Sequence, residues 1–128
     1  MATRTIKGTL DTFQVNTGSE ITYLGNTAAN NTGGINIRGF RVNPASTGDL
    51  IVKIDRSSSI NTIQVFQEDD YSAGVSPTGY SKFSNISKDG KNKGVVAVTV
   101  TNASKDYVVL LTLDGYSEVS YNGSVEVP

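Results

Sequence analysis

The sequence predicts an all-β fold, an antiparallel β-sandwich or jelly roll of about eight strands. Three observations carry that expectation. Apolar residues alternate with polar ones at a period of two, and no long segment has a helical period. Clusters of Gly, Asn, Ser and Thr separate the alternating segments at near-regular spacing. No repeat of fixed period appears, which excludes a solenoid or propeller. At 128 residues the chain fits a single domain spanning 1–128, able to bury a core without disulfide or metal.

In chain order, Ile6 to Phe13 reads as the first strand, with residues 1–5 read as a flexible arm. Ile21 to Leu24 is a short second strand, and Gly25 to Gly34 has nothing to pack and reads as a loop. From Ile35 to Val42 the pattern changes parity: Ile35 and Ile37 lie on one face, Phe40 and Val42 on the other. A β-bulge at Gly39 would return both pairs to one face. Leu50, Val52 and Ile54 alternate with Lys53 and Asp55, Ser57 to Ser59 breaks the run, and Ile60 to Gln67 follows.

The stretch Glu68 to Lys93 is too long for a structureless loop, so a short strand is expected near Tyr80 to Ile86, with a tight turn at Asp89-Gly90. Val96, Val98 and Val100 share one face, and Asn102 to Lys105 reads as a hairpin turn. Tyr107, Val109, Leu111 and Leu113 share a face while Val108 and Leu110 occupy the other. A strand apolar on both faces is covered on both. It is therefore central in its sheet or has its second face against a partner, and the Val108/Leu110 face is either an internal layer or an oligomer contact. In the last strand Val119, Tyr121, Val125 and Val127 point inward and Ser120, Asn122, Ser124 and Glu126 outward, with Gly123 interrupting the inward set.

Composition narrows the chemistry. The chain has no His and no Cys, which removes Ser-His-Asp and Cys-His nucleophiles and the usual zinc ligands. Only Glu68, Asp69 and Asp70 cluster as carboxylates, and a solvated strand end is the simplest account of them; a calcium site or a glycosidase pair are the alternatives. Asn85, Ser87, Asp89 and Gly90 fall at the spacing of half an EF-hand loop. Val96 stands where the bidentate Glu belongs, so this is a turn. Four Asn-x-Ser/Thr sequons, at Asn30, Asn85, Asn102 and Asn122, follow from the abundance of those residues. No cofactor or metal is expected.

A net charge of −1 provides no field for nucleic acid. No run approaches the roughly 20 apolar residues of a membrane helix. Met1 to Lys7 has no apolar core, so no signal peptide is expected. Contact with a partner is expected at Arg4 and Lys7, through strand addition by the arm, and at Tyr71, Tyr80 and Phe83, as aromatic anchors or as pins holding the long polar stretch to the sandwich.

Two resemblances follow from these residues. Ile6-Lys7-Gly8-Thr9-Leu10-Asp11, Leu50 to Ile54 with Ile63 to Phe66, and Tyr107 to Leu111 with Val125-Glu126-Val127 resemble the opening, the middle strands and the final hairpin of bacterial pre-peptidase C-terminal domains. That resemblance implies a small β-sandwich acting as a non-catalytic accessory module. Ser57 to Ser59 replace that family's acidic residues between the middle strands. In length and in Thr, Asn and Gly content the chain is similar to phage capsid decoration and virion surface proteins. The expectation is a non-enzymatic structural protein on a virion surface. Its partners would be capsid or scaffold subunits or further copies of itself. The alternative is an extracellular module that binds carbohydrate or cell wall.

Overall fold

The computed structural model describes residues 2–9, 12–16, 18–26, 37–71, 82–86, 93–113 and 119–128. They form ten strands: β1 (Ala2–Thr9), β2 (Phe13–Val15), β3 (Ile21–Asn26), β4 (Ile37–Val42), β5 (Gly48–Asp55), β6 (Ile60–Gln67), β7 (Lys82–Asn85), β8 (Val95–Ala103), β9 (Tyr107–Leu113) and β10 (Ser120–Val127). Two antiparallel five-stranded sheets make a sandwich. Sheet A runs β2-β1-β10-β5-β8 and sheet B runs β3-β4-β9-β6-β7.

The period-two pattern accounts for the layers. Ile6, Leu50, Val52, Ile54, Val96, Val98, Val100, Tyr121, Val125 and Val127 project from sheet A. They meet Ile21, Phe40, Val42, Ile60, Ile63, Val65, Tyr107, Val109, Leu111 and Leu113 from sheet B in one buried cluster. Strand β9 lies at the centre of sheet B, as a strand apolar on both faces should. Its second face, Val108 and Leu110, packs with Ile37 and Phe66 on the far side of sheet B, lined by Leu24 and Tyr71. All four residues are buried within the single chain, so this face is an internal layer.

The count is ten strands and not about eight, because the expected first strand turns back on itself. Thr9 donates its backbone N–H to the Thr12 carbonyl, and β1 pairs with β2. Residues 2–5 are not an arm: Ala2 to Thr9 pair with Val127 to Ser120, and β1 is an inner strand of sheet A. Gly25 and Asn26, expected in a loop, belong to β3 and pair with Gly39 and Arg38.

Gly39 is not a bulge. Strand β4 pairs with β9 in unbroken register from Ile37↔Thr112 to Val42↔Tyr107. The bulge lies one strand over in β3, between Tyr23 and Gly25, where Gly25 takes a φ of +87° that a side chain disfavours. The parity change in β4 needs no correction, because both faces of sheet B are apolar there: Ile37 joins the outer layer, and Phe40 and Val42 join the core.

Nor is Asn102 to Lys105 a hairpin turn. Asn102 and Ala103 are still in β8, and the chain then crosses from sheet A to β9 in sheet B. The closing pair β9 and β10 is likewise split between sheets. The same turn residues serve a hairpin and an inter-sheet crossing, and inward alternation is identical in both, so local pattern does not separate them. The expected strand near Tyr80 to Ile86 is β7, paired with β6 from Thr62↔Asn85 to Val65↔Lys82. Tyr80 itself, the Asp89-Gly90 turn and the 27–34 part of the expected loop lie outside the described residues.

Polar groups tie the two sheets together. Arg4 from β1 grips Glu20, which leads into β3, through two bonds: Nε to Oε2 at 2.8 Å and Nη2 to Oε1 at 3.0 Å. That bidentate geometry holds the Glu20 carboxyl below its ordinary pKa and raises that of Arg4. Near the same seam Phe13 of β2 stacks on Tyr23 of β3, with ring centroids 4.5 Å apart, and leans on Phe40.

Arg38 is buried among the core-facing residues of β4 and hydrogen-bonds the Tyr121 hydroxyl, which donates to the Thr12 carbonyl at 3.0 Å. Burial pushes the Tyr121 phenol from 10.0 to about 12. A phenol with a raised folded value favours its neutral form in the native state. Its stabilising contribution is complete below pH 10 and is lost as pH rises through about 12. Urea unfolding across that window is expected to show falling stability in the native chain and a flatter dependence in Tyr121→Phe.

Candidate functional site

Alternation in sheet A that buries one side leaves the other to solvent. Strand by strand, this outer side carries Gln14 on β2, Thr5 and Lys7 on β1, Asn122, Ser124 and Glu126 on β10, Lys53 and Asp55 on β5, and Val95, Ala97 and Thr99 on β8. The ladder aligns them in rows. Lys7 stands beside Gln14 and Asn122, Thr5 beside Ser124, and Ser124 beside Lys53. Lys53 stands beside Ala97 and Asp55 beside Val95.

These rows line a shallow depression of about 660 Å³ that reaches across all five strands. Its lining combines amides (Gln14, Asn16, Asn122), hydroxyls (Thr5, Ser124) and charges (Lys7, Lys53, Asp55), with Val95 at one end. Lys53 is braced from the side by Glu126 at 2.7 Å. Asn16 accepts from the Thr5 backbone N–H at 2.7 Å, which fixes that corner. The floor is close-packed because residue 123 is glycine: a Cβ there would sit 2.2 Å from the Lys53 carbonyl oxygen.

Ser58 secures the floor from the far side. It is buried, donates to the Asn122 carbonyl at 3.1 Å and accepts from the Asn122 N–H at 2.9 Å. The Ser59 N–H donates to the Ser120 carbonyl at 2.7 Å. The serine run that breaks the strand pattern thus stitches the β5–β6 turn to β10.

Asp55 is the one carboxylate among the described residues lining the depression. Glycoside cleavage needs two carboxylates flanking one bond, and nucleophilic catalysis needs a nucleophile with a base. The described lining holds one carboxylate, and the amine beside the Ser124 hydroxyl, that of Lys53, is engaged by Glu126 at 2.7 Å. The lining offers donors and acceptors spread over a broad, open surface, which suits non-covalent contact.

The five expected contact residues separate. Lys7 lies in the depression. Arg4 is occupied by Glu20 at the sheet seam. Tyr71 leans on Phe66, ring centroids 6.3 Å apart, and helps to cover the outer layer of sheet B, so it acts as a pin. Phe83 is 40% exposed on the edge strand β7, at the opposite sheet from Lys7. Tyr80 lies outside the described residues.

The acidic run Glu68–Asp70 forms a single 3-10 turn after β6. Glu68 is drawn off to Arg41 of β4 at 2.7 Å, and its N–H donates to the Asp106 carbonyl at 2.9 Å. Among the described residues no three acidic side chains converge as a metal-ligand group, and no helix is long and apolar enough to cross a membrane.

Sequence reading named the outward side chains of β5 and β10 one strand at a time but did not join them into a site. Their alternation was the available signal. The adjacency β1-β10-β5 was not, since these strands are far apart in the chain.

The resemblance to pre-peptidase C-terminal domains holds at the level of a β-sandwich. No protein-family model and no curated protein matches the sequence. Among solved structures the chain is similar to the K1 cleaved adhesin domain of Lys-gingipain (Kgp) from Porphyromonas gingivalis W83. The TM-score is 0.49 at 10% identity, over 97% of this chain and 98% of that one.

Proposed function

We propose that this chain is a non-catalytic recognition module displayed on a surface, and that the outer face of sheet A is its contact surface. The observation behind this reading is the depression itself: five strands wide, rich in amides and hydroxyls, and holding one carboxylate among the described residues that line it. In its finer form the module decorates a virion, with Lys7, Lys53 and Asp55 meeting groups on a capsid subunit. Charged groups of both signs on one face set register and partner choice.

Ser124 is the central position for a test, because it lines the depression while its backbone pairs on both sides, with Thr5 and Lys53. Ser124→Arg fills the depression and leaves the core face of β10 untouched. Mass spectrometry of purified particles is expected to find the native chain at a fixed copy number. Ser124→Arg is expected to be depleted about 10-fold or more, as a central steric block of an interface costs at least about 1–2 kcal/mol. Particles that lack the native chain would overturn the virion assignment, and particles that carry both forms equally would overturn the outer face of sheet A as the contact surface.

The lining favours a second reading. Side-chain amides and hydroxyls beside a braced Lys53 match the hydrogen-bonding needs of sugar hydroxyls, as an extracellular glycan-binding module requires. Retention of the native chain on insoluble cell-wall polysaccharide, lost in Ser124→Arg, would move the assignment there.

A further inference from the structure

A β-sandwich has four sheet edges, and each offers unpaired backbone N–H and C=O groups to any strand that approaches. Three of the four are blunted here. Strand β2 is three residues long. Strand β3 is broken by the bulge between Tyr23 and Gly25. Strand β7 is four residues long and begins with Lys82.

The fourth edge, β8, has none of these protections over most of its length. It runs nine residues, Val95–Ala103, with no charge and no proline, and every residue from Val95 to Thr99 is β-branched or Ala. From Val95 to Val100 it pairs with β5 in unbroken register, and the one irregularity lies beyond, where Asn102 takes a φ of +53°. No described strand lies beyond it in sheet A. Its side chains show an unfinished edge. Val96, Val98 and Val100 keep 9%, 5% and 8% exposure, whereas Val52 and Ile54 on the neighbouring strand are fully buried. Val95 is 49% exposed. A strand that is long, regular in register, uncharged and β-branched is the kind that pairs with another strand.

We infer that β8 pairs antiparallel with β8 of a second copy of this chain. A two-fold axis perpendicular to the sheet makes such a contact self-complementary. It sets Val98 opposite its counterpart, Val96 opposite Val100 and Ala97 opposite Thr99. The two valine rows then close over each other on the core side, and sheet A becomes a continuous ten-stranded sheet. A second copy is favoured over a foreign strand because the register satisfies both faces at once: valine meets valine inward, and small residues meet outward. Growth stops at the dimer, because the other end of sheet A is the three-residue β2. The two recognition faces would lie side by side on one sheet, which raises avidity for a repetitive surface.

The test is Ala97→Glu combined with Thr99→Glu. Both positions are on the solvent side of β8, and position 97 faces Lys53 within the chain, so the fold tolerates the change. Across the two-fold, each carboxylate meets the partner's carboxylate. In sedimentation equilibrium the native chain is expected to be a dimer and the double-Glu variant to dissociate about 30-fold more readily, from two like-charged cross-strand pairs. Mixing it with an Ala97→Lys, Thr99→Lys variant is expected to restore a heterodimer, an outcome that misfolding does not produce. The inference is overturned if the native chain stays monomeric at the concentrations of an NMR sample, or if the double-Glu variant remains as dimeric as the native chain. A monomer that captures a β-strand peptide on β8 would equally overturn the second copy as occupant.

Discussion

Leu110→Asp is expected to leave the chain unfolded at neutral pH. Leu110 is fully buried on the central strand of sheet B, between Gly39 of β4 and Gln64 of β6. It shares the outer layer with Ile37, Phe66 and Val108. Truncating a leucine in such a position costs about 3 kcal/mol through lost burial and the cavity left behind. A carboxylate adds the desolvation of a charge set among the buried apolar side chains of this layer, worth several kcal/mol more. Together these match the whole stability of an ordinary domain, about 5–15 kcal/mol. Far-ultraviolet circular dichroism of the purified variant checks the result. Leu110→Ala is the graded companion: its urea midpoint should drop by the equivalent of about 3 kcal/mol with an unchanged m-value. An oligomer contact on this face would give the opposite signature, altered self-association with stability kept.

Gly123→Ala is expected to cost about 3 kcal/mol, a large effect for one methyl group. The added Cβ would lie 2.2 Å from the Lys53 carbonyl oxygen and 2.9 Å from Ile54 Cδ1. The nearer obstacle is backbone, which cannot rotate aside. Strand β10 is held on one side by β1 and on the other by β5, and Gly123 is paired with Ile6 and Ile54. Relief therefore requires one of those ladders to part. Urea unfolding measures the loss, and amide exchange locates it: protection should fall first along Lys53, Ile54 and their β10 partners. Because the same residues floor the depression, the variant should also weaken partner binding beyond the stability loss.

Both residues show what alternation reveals and what it omits. The pattern marks Leu110 as apolar on a second face and Gly123 as a gap in an inward row. It does not say that Leu110 is covered within one chain, nor that a carbonyl from a strand about seventy residues earlier fills the gap, because both facts depend on which strands become neighbours. The same limit explains the misplaced bulge. One extra residue in β3 and a parity change in β4 leave similar traces in sequence, and only the register with β9 shows that β4 is regular. Arg4 reads as an exposed cation near a chain end, yet a carboxylate sixteen residues away draws it to the sheet seam. Arg38 lies among core-facing residues because the Tyr121 hydroxyl receives it. Such pairings are long-range, and no local spacing encodes them.

The outer face of sheet A follows the same logic. Lys53, Asp55, Asn122 and Ser124 are legible as outward residues, each on its own strand. They become one surface only because β10 enters between β1 and β5.

Period-two alternation and turn residues by themselves determined that this chain is all-β and, for most strands though not for β4, which side faces inward. These follow from the geometry of a single strand, whose side chains must alternate whatever lies beside it. Only the tertiary structure decided that β8, β9 and β10 do not form consecutive hairpins, that β1 is an inner strand, that β9 is central, and that β8 is the long edge of sheet A among the described strands. Strand order is a property of pairs. Backbone hydrogen bonds form equally well with any extended neighbour, and the choice among neighbours rests on the sum of burial over both sheets.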